Sequence, residues 1–310
     1  MEYKEDIMYM RRCLQLAACG RQNAKPNPMV GAVIVAEGRI IGEGFHVRCG
    51  EGHAEVNAFA SVKPVDEPLL HQATIYVSLE PCAHHGKTPP CADLIIRKGV
   101  KRVVVGCVDP FAKVHGKGIQ KIRDAGISVT VGVLEKECLA LNRRFVTVNT
   151  HHRPYIILKW AQSANGRIDD RFQAARFSTP FTQMLCHKLR AENDAILVGR
   201  VTDDREHPQL NVREWSGQNP KRIVLSRSTD IGTILKQLTE ERLQSLVVEG
   251  GRQTLCSFLE SGLWDEIRVE TAPFTIDSGT EAPPLPHNIR LLSRQYADGN
   301  TIDTYEKTGE

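Results

Sequence analysis

The stretch TIYVSLEPCAHHGKTPPC, residues 74–91, contains the pattern from which the fold is predicted. Its apolar first half predicts a buried strand, and a loop rich in proline, histidine and glycine follows. After Cys91 the apolar residues have helical spacing, which predicts a helix up to about Lys98. Cys82 therefore follows a predicted strand, and Cys91 stands at the predicted start of a helix.

Strands alternate with helices on both sides of this stretch. Upstream, MVGAVIVAEGRIIGEGF predicts a hairpin of two strands that turns at Glu37-Gly38, and a helix is predicted after His53. Downstream come the strand RVVVGCV, the helix GIQKIRDAG, the strand ISVTVGV and a helix from Glu135 to about Thr147. Such alternation predicts an α/β fold, with parallel strand pairs and helices on both faces of a sheet.

The polar segment NTHHRP, residues 149–154, interrupts the alternation and is the predicted linker. A chain of 310 residues exceeds the usual size of one hydrophobic core. We therefore predict one domain over 1–149 and a second α/β domain over 150–310. The second begins with the strand PYIILKWAQS, has an irregular stretch before residue 219 and ends its alternation with the strand EIRVETA.

Composition limits the class of protein. The chain is 41% hydrophobic and 25% charged, with no apolar stretch long enough to span a membrane. Its N-terminus lacks the apolar core of a signal peptide, so we expect a cytoplasmic location. Nine scattered cysteines do not resemble a disulfide framework, and a net charge of +3 without a long basic run suits a small anionic ligand as well as nucleic acid.

His53, Cys82 and Cys91 are a predicted set of zinc ligands. Three protein ligands leave the fourth position of a catalytic zinc ion to water, whose pKa falls to about 7. Glu55 is predicted to take a proton from that water and to deliver it to a leaving amine. The positive end of a helix favours thiolate over thiol, which is a second reason for a cysteine at a helix start.

Six runs of sequence resemble the deaminase domain of the bifunctional riboflavin biosynthesis deaminase/reductase family. They are PNPMVGAVIV, GEGFH, GHAEVNAF, YVSLEPCAHHGKTPPC, VVVGCVDP and HGKGI, within residues 7–145. The resemblance implies a cytidine-deaminase-like three-layer α/β/α fold. Cytidine and tRNA-adenosine deaminases typically use Cys-x-x-Cys, whereas eight residues separate Cys82 from Cys91 here, as in the riboflavin enzymes.

The resemblance also implies a substrate, 2,5-diamino-6-(5-phosphoribosylamino)pyrimidin-4-one, whose ring amine is replaced by oxygen. Lys87 and Thr88 match the family's positions for holding the phosphate and ribose. Asn27 and His46 match positions near the ring, and Asp109 follows a strand end where ligands collect in α/β sheets.

The second half resembles the reductase of the same family through LKWAQSANGRI, AENDAILVGR, HPQLNVR and LVVEGG. This implies a dihydrofolate-reductase-like α/β domain that reduces the ribosyl group to ribityl with NADPH. A standard GxGxxG fingerprint is absent, as in this type of reductase. The implied substrate-binding residues are Lys159, Ser163, Arg190, Leu210, Arg213 and Glu249. The implied cofactor-binding residues are Ala161, Phe177, Thr202, Glu206, Gly250 and Gly251.

The second half also departs from the family pattern. Asn165 stands where aspartate is usual, Phe177 where tryptophan is frequent, and Glu206 where aspartate is usual. Only residues 227–244 connect RIVLS to SLVVEGG, where the family carries further strands and helices. We therefore expect a shortened domain, and weak NADPH binding or loss of reductase activity is one hypothesis.

Four hypotheses remain open at this point. The first is the bifunctional enzyme, with Zn2+ and NADPH as cofactors, and the second is a deaminase whose C-terminal half serves only oligomerisation. The third is a nucleic-acid deaminase, although such a protein is expected to contain more aromatic residues than the 6% present here. The fourth is a non-catalytic, zinc-stabilised binding protein, whose structural zinc site His84 and His85 could close. We expect a homo-oligomer acting on a phosphorylated pyrimidine, with neither nucleic acid nor membrane as partner.

Overall fold

A computed structural model of the chain describes residues 2–84, 89–111 and 115–308. The chain divides into two compact units, Met1–His151 and His152–Glu310. Within the described ranges no helix is long and apolar enough to cross a membrane.

The first unit is built on a five-stranded sheet. Its strands are β1 (Gly31–Ala36), β2 (Arg39–Phe45), β3 (Thr74–Val77), β4 (Arg102–Val105) and β5 (Ser128–Val131). Its helices are α1 (Glu2–Ala18), α2 (Ala54–Ala60), α3 (Cys91–Lys98), α4 (Lys117–Asp124), α5 (Glu135–Leu141) and α6 (Arg143–His151), with a 3-10 helix over Pro64–Gln72. The strand order is β2-β1-β3-β4-β5, and β3, β4 and β5 run parallel.

Helices cover both faces of this sheet. Ile34 of β1 belongs to a core cluster with apolar residues of α2, α3 and α4, whereas its neighbour Val33 packs in a cluster with α1 and α5. Successive strand residues point to opposite faces, so strands covered on both sides are apolar throughout. The expected three-layer α/β/α architecture is confirmed.

The turn between β1 and β2 lies at Glu37-Gly38, as predicted. Both residues have positive φ, 52° and 72°, and the flanking Ala36 and Arg39 pair across the hairpin. Two consecutive left-handed residues make the turn whose twist matches that of antiparallel strands, and glycine at the second position adopts it without strain.

Two predictions at the end of this unit are wrong. The helix predicted from Glu135 to Thr147 is divided into α5 and α6 at Asn142. The predicted linker begins too early, because Asn149 to His151 are the last residues of α6. The Asn149 side chain donates to the carbonyl oxygen of Phe145, one turn earlier, at 2.8 Å, so this polar residue is accommodated within the helix rather than ending it.

The division at Asn142 has a specific cause. The Asn142 side chain is buried, its Oδ1 accepts from Met29 N at 2.8 Å, and its Nδ2 donates to Met29 O at 2.9 Å. The amide thus pairs with the backbone of the loop before β1 as another strand would. This loop carries Asn27, so the helix break helps to fix a predicted substrate residue.

The second unit contains a seven-stranded sheet. Its strands are β6 (Tyr155–Gln162), β7 (Ala195–Gly199), β8 (Lys221–Leu225), β9 (Ser245–Val248), β10 (Glu266–Thr271), β11 (Ile289–Ala297) and β12 (Asn300–Lys307). Its helices are α7 (Pro180–Ala191), α8 (Arg200–Glu206), α9 (Ile231–Glu240) and α10 (Arg252–Glu260). The order is β11-β12-β10-β6-β9-β7-β8, and the last five strands in this order run parallel.

The short connection between β8 and β9 is a single helix, α9, which packs into the core through Ile234, Leu235 and Leu238. β8 keeps its full pairing with β7 over all five residues. The shortened sequence therefore ends the sheet at β8 without interrupting it.

The pattern of the sequence did not predict α8, β11 or β12. In β11 seven consecutive residues are exposed, so no alternation of apolar and polar side chains marks it as a strand. β12 is paired antiparallel to β10 and covers the edge that β10 would otherwise expose.

We expect Asn142→Ala to lower the free energy of unfolding of the first unit by about 2 kcal/mol, because it leaves Met29 N and O without their partners. Asn149→Ala is the matched control and should change it by less than about 0.5 kcal/mol. All three tryptophans, Trp160, Trp215 and Trp264, lie in the second unit. Tryptophan fluorescence would therefore report on the second unit, so the change should be measured by circular dichroism during urea unfolding. An unaltered unfolding midpoint would contradict the role given to Asn142.

Two candidate active sites

His53, Cys82 and Cys91 meet beside the sheet of the first unit. His53 is the residue that precedes α2, Cys91 is the first residue of α3, and Cys82 lies on the segment after β3. His53 Nδ1 is 3.6 Å from Cys82 Sγ and 3.4 Å from Cys91 Sγ. A tetrahedral zinc ion at ordinary bond lengths requires about 3.6 Å between a nitrogen and a sulfur ligand. The three side chains therefore fit Zn2+.

Two features favour an ionised thiol at Cys82. Cys91, and after it His53, lower the pKa of Cys82 to about 4 against the opposing effect of burial. The backbone N–H of Cys91, at the start of α3, donates to Cys82 Sγ at 3.3 Å. The contact with Cys82, and then burial, raise the pKa of Cys91. Zinc binds thiolates, so binding would require both thiols to be deprotonated.

Glu55 lies in the first turn of α2 and is only 3% exposed. Burial, and then the charge of Cys82, raise the pKa of Glu55 to about 6. A carboxyl group with a pKa near neutrality both accepts and returns a proton readily. His84 is exposed and outside the ligand cluster, so within the described ranges the cluster keeps three ligands rather than four.

His46 and Asn27 adjoin the zinc ligands. The ring of His46 contacts that of His53 edge-on, with centroids 5.4 Å apart. His46 Nδ1 lies 3.1 Å from the carbonyl oxygen of Gly52, which can only accept, so Nδ1 carries the proton. Its Nε2 therefore accepts from Asn27 Nδ2 at 3.1 Å, and burial lowers the pKa of His46 and keeps the ring neutral.

Asp109 lies after β4 and is largely buried, which raises its pKa. Its backbone N–H donates to the side chain of Glu80, a residue that the sequence analysis did not select. Lys87 and Thr88, predicted to hold the phosphate and ribose, lie outside the described residues.

The second unit has a cleft of about 1460 Å³ at the carboxyl ends of its parallel strands. This is where ligands bind in open α/β sheets. Leu225 to Ser228, at the end of β8, belong to the cleft wall, so the short connection through α9 leaves a wall on that side. Predicted site residues that line the cleft are Lys159, Ala161, Phe177, Thr202, Glu206, Glu249, Gly250 and Gly251.

Buried charges meet at the inner end of the cleft. Arg190 Nη2 and Nε donate to the two carboxylate oxygens of Glu249 at 2.7 and 3.1 Å. Burial opposes ionisation of Glu249, but Lys159 and Arg190 lower its pKa to about 2. Burial likewise opposes the charge of Lys159, yet Cys186, Glu249 and Glu270 raise its pKa. The cluster therefore offers a fixed carboxylate and a protonated amine to a polar ligand.

The glycines at this edge are needed because a side chain would collide with neighbouring residues, and not because their backbone angles are unusual. A Cβ on Gly250 would lie 2.7 Å from Thr254 Cβ, and one on Gly199 would lie 2.2 Å from Thr254 Oγ1. A Cβ on Gly251 would lie 3.1 Å from Thr202 Oγ1. The ends of β7 and β9 thus approach α10 closely, and its N-terminus opens on the cleft, where anions are favoured.

Four predicted residues are not part of the cleft lining: Arg190, which reaches it through Glu249, and Ser163, Leu210 and Arg213. Ser163 is fully buried, and its hydroxyl accepts from Arg167 N and donates to Asn165 Oδ1. Leu210 is buried, with a left-handed φ of 49°. Arg213 is exposed, and its guanidinium bonds to Asn211 at 3.1 Å.

Asn165, at a position where the family usually has aspartate, makes a set of hydrogen bonds that needs an amide. Its Oδ1 accepts from Ser163 Oγ at 2.7 Å and from Ile276 N at 3.1 Å, and its Nδ2 donates to Ile276 O at 2.9 Å. Aspartate would lack the donor for that carbonyl group. Phe177 stacks on Phe274 with centroids 5.9 Å apart, and Glu206 forms an ion pair with its neighbour Arg205.

Comparisons with known proteins identify the family of both units. The family model of the cytidine and deoxycytidylate deaminase zinc-binding region matches residues 3–107. The RibD C-terminal domain matches residues 154–234 and 228–294, two segments that meet at α9. The riboflavin biosynthesis protein RibD of Aquifex aeolicus is 38% identical over 88% of this chain and 88% of its own. The chain belongs to the RibD family.

Two further comparisons show the same likeness over most of the chain. The Escherichia coli K12 protein is 33% identical over 88% of this chain and 89% of its own. A crystal structure from Thermotoga maritima, of a diaminohydroxyphosphoribosylaminopyrimidine deaminase/5-amino-6-(5-phosphoribosylamino)uracil reductase, has a TM-score of 0.91. It is 32% identical and covers 99% of this chain and 100% of its own. The chain is thus a bifunctional deaminase and reductase of riboflavin biosynthesis, with Zn2+ and NADPH as cofactors.

We expect Asn165→Asp to lower the free energy of unfolding of the second unit by about 1–3 kcal/mol, because Ile276 O loses its donor and faces a carboxylate. Asn219→Asp is the matched control, since Asn219 Oδ1 accepts from Val212 N and aspartate keeps that acceptor. Tryptophan fluorescence during urea unfolding measures the change. Equal midpoints for the two variants would show that the amide donor contributes nothing.

Proposed function

We propose that Glu55 moves the proton during hydrolytic deamination of 2,5-diamino-6-(5-phosphoribosylamino)pyrimidin-4-one. The observation that carries this is the triangle of His53, Cys82 and Cys91, which fits zinc and lies beside a buried carboxyl group. Bound zinc would lower the pKa of a water molecule to about 7. Glu55 would take the proton of that water and give it to the leaving amine.

The residues around the triangle would orient the pyrimidine. His46 is held neutral and in one orientation by Gly52 and Asn27, so this pair offers a fixed polar edge beside the zinc ligands. Asp109, on the segment after β4, would be a further contact for the substrate. Lys87 and Thr88 would hold the phosphate and ribose, as the resemblance implies.

We also propose that reduction of the ribosyl to the ribityl group takes place in the cleft of the second unit. Glu249 would accept hydrogen bonds from the sugar, and protonated Lys159 would donate a hydrogen bond or a proton to it. Arg190 holds the Glu249 carboxylate, and Arg213 would meet the phosphate. NADPH would supply the hydride, with Thr202 and the N-terminus of α10 facing its phosphates.

The retained cleft is the reason to prefer two activities over a deaminase with an inactive C-terminal half. Lys159 and Glu249, proposed for the sugar, and Thr202 and Gly250-Gly251, proposed for the cofactor, line one space. We propose a small phosphorylated substrate rather than nucleic acid as partner. Nine cysteines without a disulfide, two of them zinc ligands, suit the reducing conditions of the cytoplasm.

Mass spectrometry of the product distinguishes the two activities. Zinc-loaded protein given the diaminopyrimidine phosphate should exchange an amine for oxygen without NADPH, and should add two hydrogen atoms when NADPH is present. Glu55→Gln should keep its zinc and slow deamination by about 10²–10⁴-fold, as expected on losing a general acid–base group. It should still reduce the deaminated compound when this is supplied directly.

Glu249→Gln should show the reverse, with normal deamination and at least about a tenfold loss of reduction, since one charge of a buried pair is removed. Glu43→Gln, which breaks a surface ion pair with Arg12, should retain both activities. Reduction by wild-type protein without prior deamination, or no change of either kind, would refute the proposed function.

We propose that the chain forms a homo-oligomer through β11. This strand is the outer strand of the second sheet and exposes Leu291, Leu292 and Tyr296, the last at 81%. An edge strand with unpaired backbone groups and apolar side chains is a pairing surface for another copy.

Tyr296→Asp should shift the sedimentation of the protein toward the monomer at micromolar concentration, because it places a charge in that surface. Tyr3→Asp, at a tyrosine 67% exposed in the first unit, is the matched control and should not. Identical sedimentation of the two variants would remove β11 from the interface.

A further inference from the structure

Glu80 is a buried carboxyl group that the reaction described above does not use. It is 4% exposed and lies two residues before the zinc ligand Cys82. Its two oxygens accept four backbone N–H groups. Oε2 accepts from Asp109 N at 3.2 Å and Gly116 N at 2.9 Å, and Oε1 accepts from Gly118 N at 2.9 Å and Ile119 N at 3.3 Å.

These four donors come from both ends of one segment. The segment is residues 109–116, which lie between β4 and α4. Asp109 is its first residue, Gly116 directly precedes α4, and Gly118 and Ile119 lie in the first turn of α4. A single side chain therefore ties the two ends of the segment to each other and to the strand that leads to the zinc ligands. The Glu80 N–H also donates to Cys107 O at 3.0 Å, so its own backbone is held by the same neighbouring strand.

The close fit at Gly118 shows that this arrangement leaves little freedom. A Cβ on Gly118 would lie 1.9 Å from Pro81 O and 3.4 Å from Glu80 Oε1. The start of α4 thus lies directly against the residue between Glu80 and Cys82. Movement of the Glu80 carboxylate would move this contact and with it the segment that carries Asp109.

Asp109 depends on the same segment for its orientation. Its Oδ1 accepts from Phe111 N at 2.8 Å, and its carbonyl oxygen lies 3.1 Å from His115 Nδ1. Its N–H is bonded to Glu80. Phe111 and His115 thus add to the contacts by which Glu80 Oε2 holds Asp109 and Gly116.

We propose that Glu80 is a positioning residue for deamination, which sets the place of Asp109 by fixing both ends of the segment. The proposal rests on the proposed contact of Asp109 with the substrate. A carboxylate is required because all four partners are donors. An amide would present an NH2 group to one of the two donor pairs and would release either Asp109 and Gly116 or Gly118 and Ile119.

A purely structural role, as a cap for α4, predicts a different behaviour. It would lower stability without a specific effect on substrate binding, and its effect would add to that of any change at Asp109. A positioning role makes the two residues act as one unit, so their effects on KM are not additive.

The test is a double-mutant cycle of Glu80→Gln and Asp109→Asn, with ammonia release from the diaminopyrimidine phosphate as the assay. Glu80→Gln should raise KM by about tenfold or more, as expected from losing hydrogen bonds to a charged group, while kcat changes less. The double variant should have a KM within about twofold of Asp109→Asn alone.

Asp6→Asn is the matched control. Asp6 is another buried carboxylate of the first unit, and it accepts hydrogen bonds from Tyr76 of β3 and Arg102 of β4. This variant should lose stability and keep the wild-type KM. Zinc content and reduction of the deaminated compound should be unchanged in Glu80→Gln. If Glu80→Gln does not fold, Glu80→Asp keeps both oxygens, retracts them by one methylene group, and should raise KM in the same way.

A wild-type KM in the folded Glu80 variants, or effects that add in the double variant, would overturn the positioning role while leaving the deaminase assignment intact. Absence of ammonia release from the zinc-loaded wild-type protein would overturn both.

Discussion

The spacing of three ligand atoms constrains the whole of the first unit. An imidazole nitrogen and two sulfurs must lie about 3.6 Å apart to share a zinc ion, and they come from three separate places in the chain. His53 and Cys91 are brought into range by the starts of α2 and α3, which pack on one face of the sheet. Cys82 comes from the segment after β3, at the centre of that sheet. The core on this face therefore determines the dimensions of the metal site.

In the second unit the corresponding constraint is the burial of charged side chains. Arg190 and Lys159 offset the cost of placing Glu249 in the interior, and Glu249 in turn keeps Lys159 protonated. Such a cluster holds its shape before a ligand arrives. The two units thus prepare their sites by the same means, groups whose ionisation is set by buried neighbours.

The sequence predicted the features whose cause is local. Cys91 begins α3, Lys98 ends it, and the hairpin turns at Glu37-Gly38, because helical spacing and a turn signal need only adjacent residues. Features with distant causes were not predicted. Asn142 divides a helix because it pairs with Met29, 113 residues away. Glu80 has partners 29 to 39 residues away, so its sequence neighbours give no sign of its role.

The C-terminal hairpin of β11 and β12 has a consequence for fragments of the protein. The apolar pattern of the sequence ends at EIRVETA, and β10, which this run forms, is almost wholly buried at Ile267 and Val269. A chain cut after that run would retain the parallel core but expose the backbone of β10 as a bare, flat edge. Such an edge recruits strands from other molecules and leads to aggregation. The hairpin thus acts as a protective cover, and the boundary of the second folding unit lies beyond the point where its hydrophobic pattern ends.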